Sequence, residues 1–219
     1  MKILNLYAGI GGNRKLWGNE NEITAIEWEP EIARLYSKFF PNDKVLIEDA
    51  HAYLLNYFRE YDFIWASPPC PSHSRVRMNS TYSAETGEPI KTPVYPDMRL
   101  YEEIILLDYF FKGKFVVENV ISFYEPLIKP YIVGSHYFWA NFPLANFETK
   151  PRLHDYPIPE LERRKGFDLS NEDIPLDLKR KVLHNCVEPE VGKAIFNYAF
   201  KGKQELLNNN EVVDTNTAP

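Results

Sequence analysis

A cysteine set among prolines is where this sequence most plainly offers chemistry. Ser67-Pro68-Pro69-Cys70-Pro71 follows the apolar run Phe63-Ile64-Trp65-Ala66. The thiol therefore sits at the mouth of a strand, with the backbone on either side fixed by rings that lock φ. An arbitrary cysteine is most often just a small buried hydrophobe. Three prolines around this one set the thiol's direction in advance, which suits a covalent nucleophile. Further along, Glu118-Asn119-Val120 continues a second apolar run, Lys114-Phe115-Val116-Val117, and brings a carboxyl to the end of an adjacent buried segment. An acid buried there could share a pocket with Cys70 and, lacking a basic neighbour, would have its pKa raised and could donate a proton.

A second set of residues suits a ligand rather than a reaction. The run Lys2 to Tyr7 ends at Gly9-Ile10-Gly11-Gly12, after which a helix-compatible stretch reaches Trp17. Strand, glycine loop and helix let a backbone approach a ligand closely, and the helix N-terminus would add a favourable dipole. The spacing departs from GxGxxG, so a tight turn without a ligand explains these glycines equally well. Ile23-Thr24-Ala25-Ile26 ends in Glu27 and Trp28: the carboxylate could hold two ribose hydroxyls, and the indole could pack on an adenine. Asp49, ending a third short strand, could accept from the adenine amino group. Each has a plainer reading, a helix cap for Asp49 and core packing for Trp28.

The elements that must position these residues alternate. Strands near Ile3, Ile23, Val45 and Phe63 are separated by helical spacing over Pro30 to Phe40 and around Tyr53 to Phe58, and Pro30 suits a first helical turn. Such alternation predicts an α/β fold, a mostly parallel sheet covered by helices on both faces. From Ser67 to Pro96 the periodicity fails, and a loop this long is usually functional or disordered. A helix over about 97–111 follows, then the Glu118 strand. Residues 143–178 are rich in proline and charge with little periodic signal and read as a small irregular subdomain. Val182 to Phe200 reads as mainly helical, and the chain from Asn208 onward as a disordered tail.

With 219 residues, 44% of them apolar and 15% aromatic, one sizeable core can be buried, and a second complete domain is not expected. A net charge of −6 argues against nonspecific coating of nucleic acid. Local basic clusters at Arg75 and Arg77, Lys150 and Arg152, Arg163-Arg164-Lys165 and Lys179-Arg180-Lys181 could still meet phosphates, although solvated surface charge explains each one alone. No basic-then-apolar leader and no long apolar run is present, so the expected setting is soluble and intracellular, with Cys70 and Cys186 kept as thiols.

Taken in order, Tyr7-Ala8-Gly9-Ile10-Gly11-Gly12, Glu27-Trp28, Asp49, Pro68-Pro69-Cys70, Glu118-Asn119-Val120 and Leu183-His184-Asn185-Cys186-Val187-Glu188-Pro189 resemble the ordered motifs of the cytosine-5 DNA methyltransferases. The resemblance spans roughly residues 3 to 200 and implies a Rossmann-like S-adenosylmethionine-dependent methyltransferase fold. It implies that Tyr7, Ala8, Gly9, Gly11, Gly12, Glu27, Trp28, Asp49, Ala50, Ser67, Pro69, Asn185 and Val187 surround S-adenosylmethionine. It also makes Cys70 the nucleophile and Glu118 its partner, acting on a cytosine flipped out of double-stranded DNA. The loop Ser72 to Pro96 would cover that base, with Ser72, Ser74, Arg75 and Arg77 toward the DNA.

Two features depart from the family pattern. The Gln-x-Arg-x-Arg motif after the Glu-Asn-Val strand is missing. The nearest segment, Val133 to Asn141, puts His136 near the expected arginine, where it could donate to the cytosine carbonyl or simply be a surface histidine. Its aromatic run, Tyr137-Phe138-Trp139, reads as core. A large recognition domain is also missing: only 143–178 is available, with Lys150, Arg152, Arg163 and Arg164 for phosphates, so a short recognition site or relaxed specificity is expected. The expected organisation is a catalytic and cofactor-binding domain over 1–142, a small target-recognition-like subdomain over 143–178, a returning C-terminal helix over 179–203 and a tail over 204–219. A monomer without metal is expected, cytoplasmic, of a size that suits a virus or mobile element in a bacterial host. The alternatives are an RNA cytosine-5 methyltransferase, an inactive DNA-binding homologue and a nicotinamide-dependent Rossmann enzyme; the last predicts another glycine spacing and leaves Pro-Pro-Cys without a purpose.

Overall fold

Five short apolar runs become the parallel strands of one sheet: β1 (Lys2–Leu6), β2 (Glu22–Ile26), β3 (Lys44–Leu46), β4 (Phe63–Ala66) and β5 (Lys114–Val120). A hairpin, β6 (Tyr131–Val133) and β7 (His136–Ala140), adds an antiparallel edge, giving a seven-stranded sheet of order β3-β2-β1-β4-β5-β7-β6. The computed structural model describes residues 1–75, 86, 88, 95–145, 147, 149 and 156–200.

The helices are α1 (Pro30–Phe39), α2 (Ala50–Tyr57), α3 (Arg99–Phe110), α4 (Ile158–Lys165), α5 (Leu176–His184) and α6 (Pro189–Phe200). They cover both faces of the sheet because strand side chains alternate. Leu4, Leu6, Ile64, Ala66, Phe115 and Val117 face α2 and α3, where Leu54, Leu100, Ile104 and Leu107 close one core. Ile3, Ile23, Phe63, Trp65 and Val116 face the other way, against Trp17 and the α6 residues Ile195, Phe196 and Ala199. On that same side α1 joins α4 and α5 through Leu35, Tyr36, Leu161, Phe167 and Leu183. The fold is a Rossmann-like α/β sandwich, as the alternation predicts. Tyr137, Phe138 and Trp139 are buried, as expected of core.

Four local expectations need correcting. The stretch after the glycine loop is a series of turns over 12–16 rather than a helix, held by Lys15 N to Gly12 O and Trp17 N to Arg14 O. Its side chains are pulled in different directions: Asn13 to Asn5, Arg14 to Asp43, and Trp17 Nε1 to the Gly192 carbonyl. No helix dipole therefore stands behind that loop. Strand β5 runs on through Glu118 to Val120 because β7 pairs with it antiparallel, Glu118 opposite Phe138 and Val120 opposite His136. The helix α4 lies inside the stretch read as irregular, and the C-terminal helical stretch is two helices broken at 185–188. The expected tail over 204–219 lies outside the described residues, as do Arg77, Lys150, Arg152 and most of the loop to Pro96.

Candidate active site

Strand register gathers the site. Ile3 to Leu6 pair with Phe63 to Ala66, and Phe63 to Ala66 pair in turn with Lys114 to Val117, all parallel. Tyr7 and Ser67 therefore leave the sheet side by side, level with Glu118 in β5, with Glu27 beyond β2 and Asp49 beyond β3 at the same edge. This is the carboxyl edge of the strands, where open α/β sheets bind ligands. A cavity of about 640 Å³ opens there. Its walls include Cys70, Glu118, Asn119 and His136 from one group, and Tyr7, Ala8, Gly9, Gly12, Glu27, Trp28, Asp49, Ala50, Ser67, Pro69, Asn185 and Val187 from the other.

Half-buried Cys70 shares this cavity with Glu118, which is 9% exposed. The prolines before the thiol are tied to the Glu118 strand by Asn119, whose Nδ2 donates to the Pro68 carbonyl at 3.0 Å while its Oδ1 accepts from Val120 N at 2.9 Å. One buried amide thus joins the two reactive groups. Glu118 has a basic neighbour that its own strand does not reveal: His136 Nε2 lies 3.5 Å from Glu118 Oε1, brought there by the β5–β7 pairing. After Cys70 the chain turns tightly, with the amides of His73 and Ser74 both donating to the Cys70 carbonyl. His73 is buried, its Nδ1 lies 2.6 Å from the Tyr124 hydroxyl, and burial pushes its pKa below the ordinary histidine value.

The glycine loop supplies the opposite wall. Gly9 has φ +55, and a Cβ built on it meets nothing within 4 Å, so open space lies where a side chain would be. Gly12 is the reverse case, since a Cβ there would collide with Cys186 Sγ and the Val187 carbonyl oxygen. Gly11 lines no part of the cavity; its missing Cβ makes room for the rings of Tyr36 and Phe40. Glu27 anchors the loop, Oε2 accepting from Gly9 N at 2.8 Å and Oε1 from Glu29 N at 3.0 Å. Trp28 is 71% exposed at the rim, which rules out the core-packing reading. Asp49 does cap α2, accepting from Ala52 N at 2.8 Å, and also lines the cavity. Tyr7 adopts φ 55, a left-handed backbone that costs an aromatic residue about 1–3 kcal/mol.

Residues 1–102 match the family model for C-5 cytosine-specific DNA methylases. That stretch carries Tyr7 to Gly12, Glu27-Trp28, Asp49 and Cys70 and supports the cytosine-5 methyltransferase family read from the motifs; Glu118, His136 and the Asn185 segment lie beyond it. None of the curated proteins matches the chain. Among solved structures, the methyltransferase EhMeth of Entamoeba histolytica has TM-score 0.60 at 12% identity, over 94% of this chain and 98% of that one, and shares the fold. A hypothetical protein of the bacterium Thermus thermophilus is more distant, with TM-score 0.42 at 15% identity, over 64% of this chain and 73% of that one. The methylase match and the fold together support a methyltransferase.

The residues expected to meet DNA divide. Arg163 is exposed and pairs with Glu160. Arg75 is also exposed, its Nε donating to the Ser122 carbonyl at 3.1 Å. Ser72 Oγ accepts from Asp97 N at 3.0 Å, and Ser74 bridges to Ser122, so both fasten the turn after Cys70. The phosphate role expected of Arg164 needs correcting. Its side chain is only 9% exposed, lines the cavity and reaches Glu188 at 2.9 Å, so it faces inward. Lys165 joins the same carboxylate at 2.8 Å and donates to the Cys186 carbonyl at 2.6 Å.

Sequence reasoning also missed the cavity residues His51, His73, Asp97, Arg99 and Lys165. Lone histidines carry no spacing signal. Glu103 was missed too, although it shares the apolar i, i+3, i+4 face of α3 with Leu100, Ile104 and Leu107, an odd place for a carboxylate. Among the described residues no three His, Cys, Asp or Glu could hold a metal, and no helix is long and apolar enough to cross a membrane.

Proposed function

We propose that the chain is an S-adenosylmethionine-dependent DNA methyltransferase acting on carbon 5 of a flipped cytosine through a covalent bond from Cys70. The observation that carries this is the presence of Cys70, beyond β4, and Glu118, in the adjacent parallel strand β5, in one cavity whose other wall is the glycine loop. The residues present fit the cofactor. Gly9 leaves a cradle that a Cβ would fill, Trp28 offers an exposed ring, and Glu27 and Asp49 supply acceptors beside it. Bound there, S-adenosylmethionine supplies an electrophilic methyl group.

Cytosine carbon 5 is a poor nucleophile until a thiolate adds at carbon 6, a bond that Cys70 would form. The electron pair displaced from the 5,6 double bond runs toward N3, where Glu118 donates a hydrogen bond, while its second oxygen accepts from the exocyclic amine. His136, beside Glu118, is placed for the cytosine carbonyl oxygen. Once carbon 5 has taken the methyl group, with S-adenosylhomocysteine as the leaving group, and has lost its proton to a solvent base, the double bond reforms and Cys70 leaves as thiolate. Flipping is required because these ring atoms lie within the stack. Of the arginines expected at the DNA, Arg75 and Arg163 are exposed and available to phosphates.

The test is incubation with labelled cofactor and either duplex DNA or transfer RNA. Labelled 5-methylcytosine in DNA is expected, with none from Cys70→Ser. Label retained by that variant, or transferred to RNA alone, overturns the proposal.

A further inference from the structure

The catalytic reading leaves unused a buried acid behind the glycine loop. Glu103, on α3, is fully buried, and one of its oxygens receives two groups: the Tyr7 hydroxyl donates to Oε1 at 2.5 Å, and His51 Nδ1 lies 3.0 Å from the same atom. Its second oxygen is buried with no hydrogen-bond partner. His51, in the first turn of α2, lines the cavity, with Nε2 3.4 Å from the exposed Glu102. Three elements that wall the cavity, the loop after β1, α2 and α3, therefore meet on one carboxyl group.

Tyr7 is also where the loop is strained. Its left-handed φ persists only if its surroundings impose it, and the Glu103 bond at the ring's far end is the polar contact that does so. Two residues on, the loop is held again by Gly9 N on Glu27. The loop is pinned on both sides, and the Glu103 side can take up or lose a proton. We propose that His51 is a positioning residue for the cofactor loop, acting through Glu103 on Tyr7, and that the pair His51–Glu103 must hold a proton for the loop to keep its binding shape. This rests on the reading of the cavity as a cofactor site.

The charges around the pair support the direction. His51 faces Glu102 and Glu103 from α3, with Arg99 opposing, and Glu103 also faces Asp97. Tyr7 faces Glu103, Asp49 and Arg99. The Glu103 bond raises the pKa of His51, and burial raises that of Glu103. The pair thus holds its proton to a higher pH than an ordinary histidine and releases it as pH rises. Release leaves the Glu103 carboxylate buried without its cationic partner, although the Tyr7 hydroxyl still donates to it. An uncompensated buried charge with one oxygen unsatisfied favours opening of the point where the three elements meet, and the loop loses its anchor.

The experiment is calorimetric titration with S-adenosylmethionine from about pH 6 to about pH 9, spanning the histidine range. Wild-type affinity should fall with rising pH, in a step above about 6.5. Glu103→Gln keeps an acceptor for Tyr7 and leaves no buried charge for His51 to compensate, so that step should vanish with affinity near the wild-type acid-side value. Tyr7→Phe should bind roughly tenfold more weakly at the acid end, the size of one hydrogen bond to a charged group, and should show no step because the link from Glu103 to the loop is gone. His51→Ala should weaken binding likewise, and His51→Asn, which offers a neutral donor but no proton, should bind near the wild-type alkaline-side value without the step. If Glu103→Gln fails to fold, judged by cofactor-free thermal unfolding, the His51 pair decides. A wild-type profile flat in pH, or the same step persisting in Glu103→Gln or His51→Asn, overturns the inference alone; no binding of cofactor at any pH overturns the proposed function with it.

Discussion

Two glycines three residues apart should fail in opposite ways when each is given a methyl group. At Gly12 the added Cβ would lie inside the 3.0 Å that real Cβ atoms keep, against Cys186 Sγ and the Val187 carbonyl, with Val187 N at 3.0 Å. Two of those neighbours are backbone atoms between α5 and α6, so no flexible side chain can swing aside. Overpacking of this kind costs about 1–3 kcal/mol. With a urea slope near 2 kcal/mol per molar, Gly12→Ala should lower the unfolding midpoint by about 0.5–1.5 M. At Gly9 nothing lies within 4 Å, so the folding cost is confined to a left-handed φ, about 1–2 kcal/mol. The new methyl then occupies the space offered to the ligand. Gly9→Ala should therefore lose cofactor affinity out of proportion to its stability, and Gly12→Ala should lose both in step. Urea unfolding and calorimetry on the two variants check this. Equal affinity losses at matched stability, or a neutral Gly12→Ala, would refute the assignment of Gly9 to the ligand wall and Gly12 to the packing behind it.

Three further outcomes follow from the same geometry. Asp43→Ala should destabilise the fold by about 3–5 kcal/mol in chemical unfolding, because it strands the Arg14 guanidinium, bonded to Asp43 at 2.8 and 3.0 Å with both side chains only 2% exposed. Asn119→Ala leaves the Pro68 carbonyl without its donor, an unmade buried bond worth about 1–3 kcal/mol; steady-state kinetics should show kcat falling more than cofactor affinity. Burial pushes the Cys186 thiol up to about 12, so at mildly alkaline pH it stays protonated in the folded chain. Iodoacetamide followed by peptide mapping should label Cys70 and reach Cys186 only after denaturation.

The sheet was legible because β1, β2, β4 and the first half of β5 are apolar runs, β2 and β4 being closed by Glu27 and by Ser67-Pro68, and α1 because Pro30 and the Ile32, Leu35, Tyr36 spacing mark it. The turns over 12–16 were not, since Asn13, Arg14 and Trp17 have no helix-breaking chemistry; what unwinds them is where their side chains go, to β1, to Asp43 and to Gly192. The helix α4 was hidden by Pro157, Pro159 and a run of charges, of which Lys165 is buried. In the site, motifs that sit next to one another in sequence were readable, and Cys70, Glu118 and the glycine loop do meet in one cavity. Contacts made across sequence, such as His136 on Glu118 and His51 on Glu103, depend on pairing that no local pattern encodes.

The packing of Trp17 on Phe196, with its indole nitrogen on the Gly192 carbonyl, joins two stretches some 175 residues apart. A growing chain therefore leaves the ribosome with Ile3, Trp17 and Phe63 uncovered on one sheet face until α6 emerges. At about 5–20 residues per second that exposure lasts roughly 10–40 s, a window for chaperones or for misassociation. A loop synthesised well before α6 thus becomes competent only once α6 has been made.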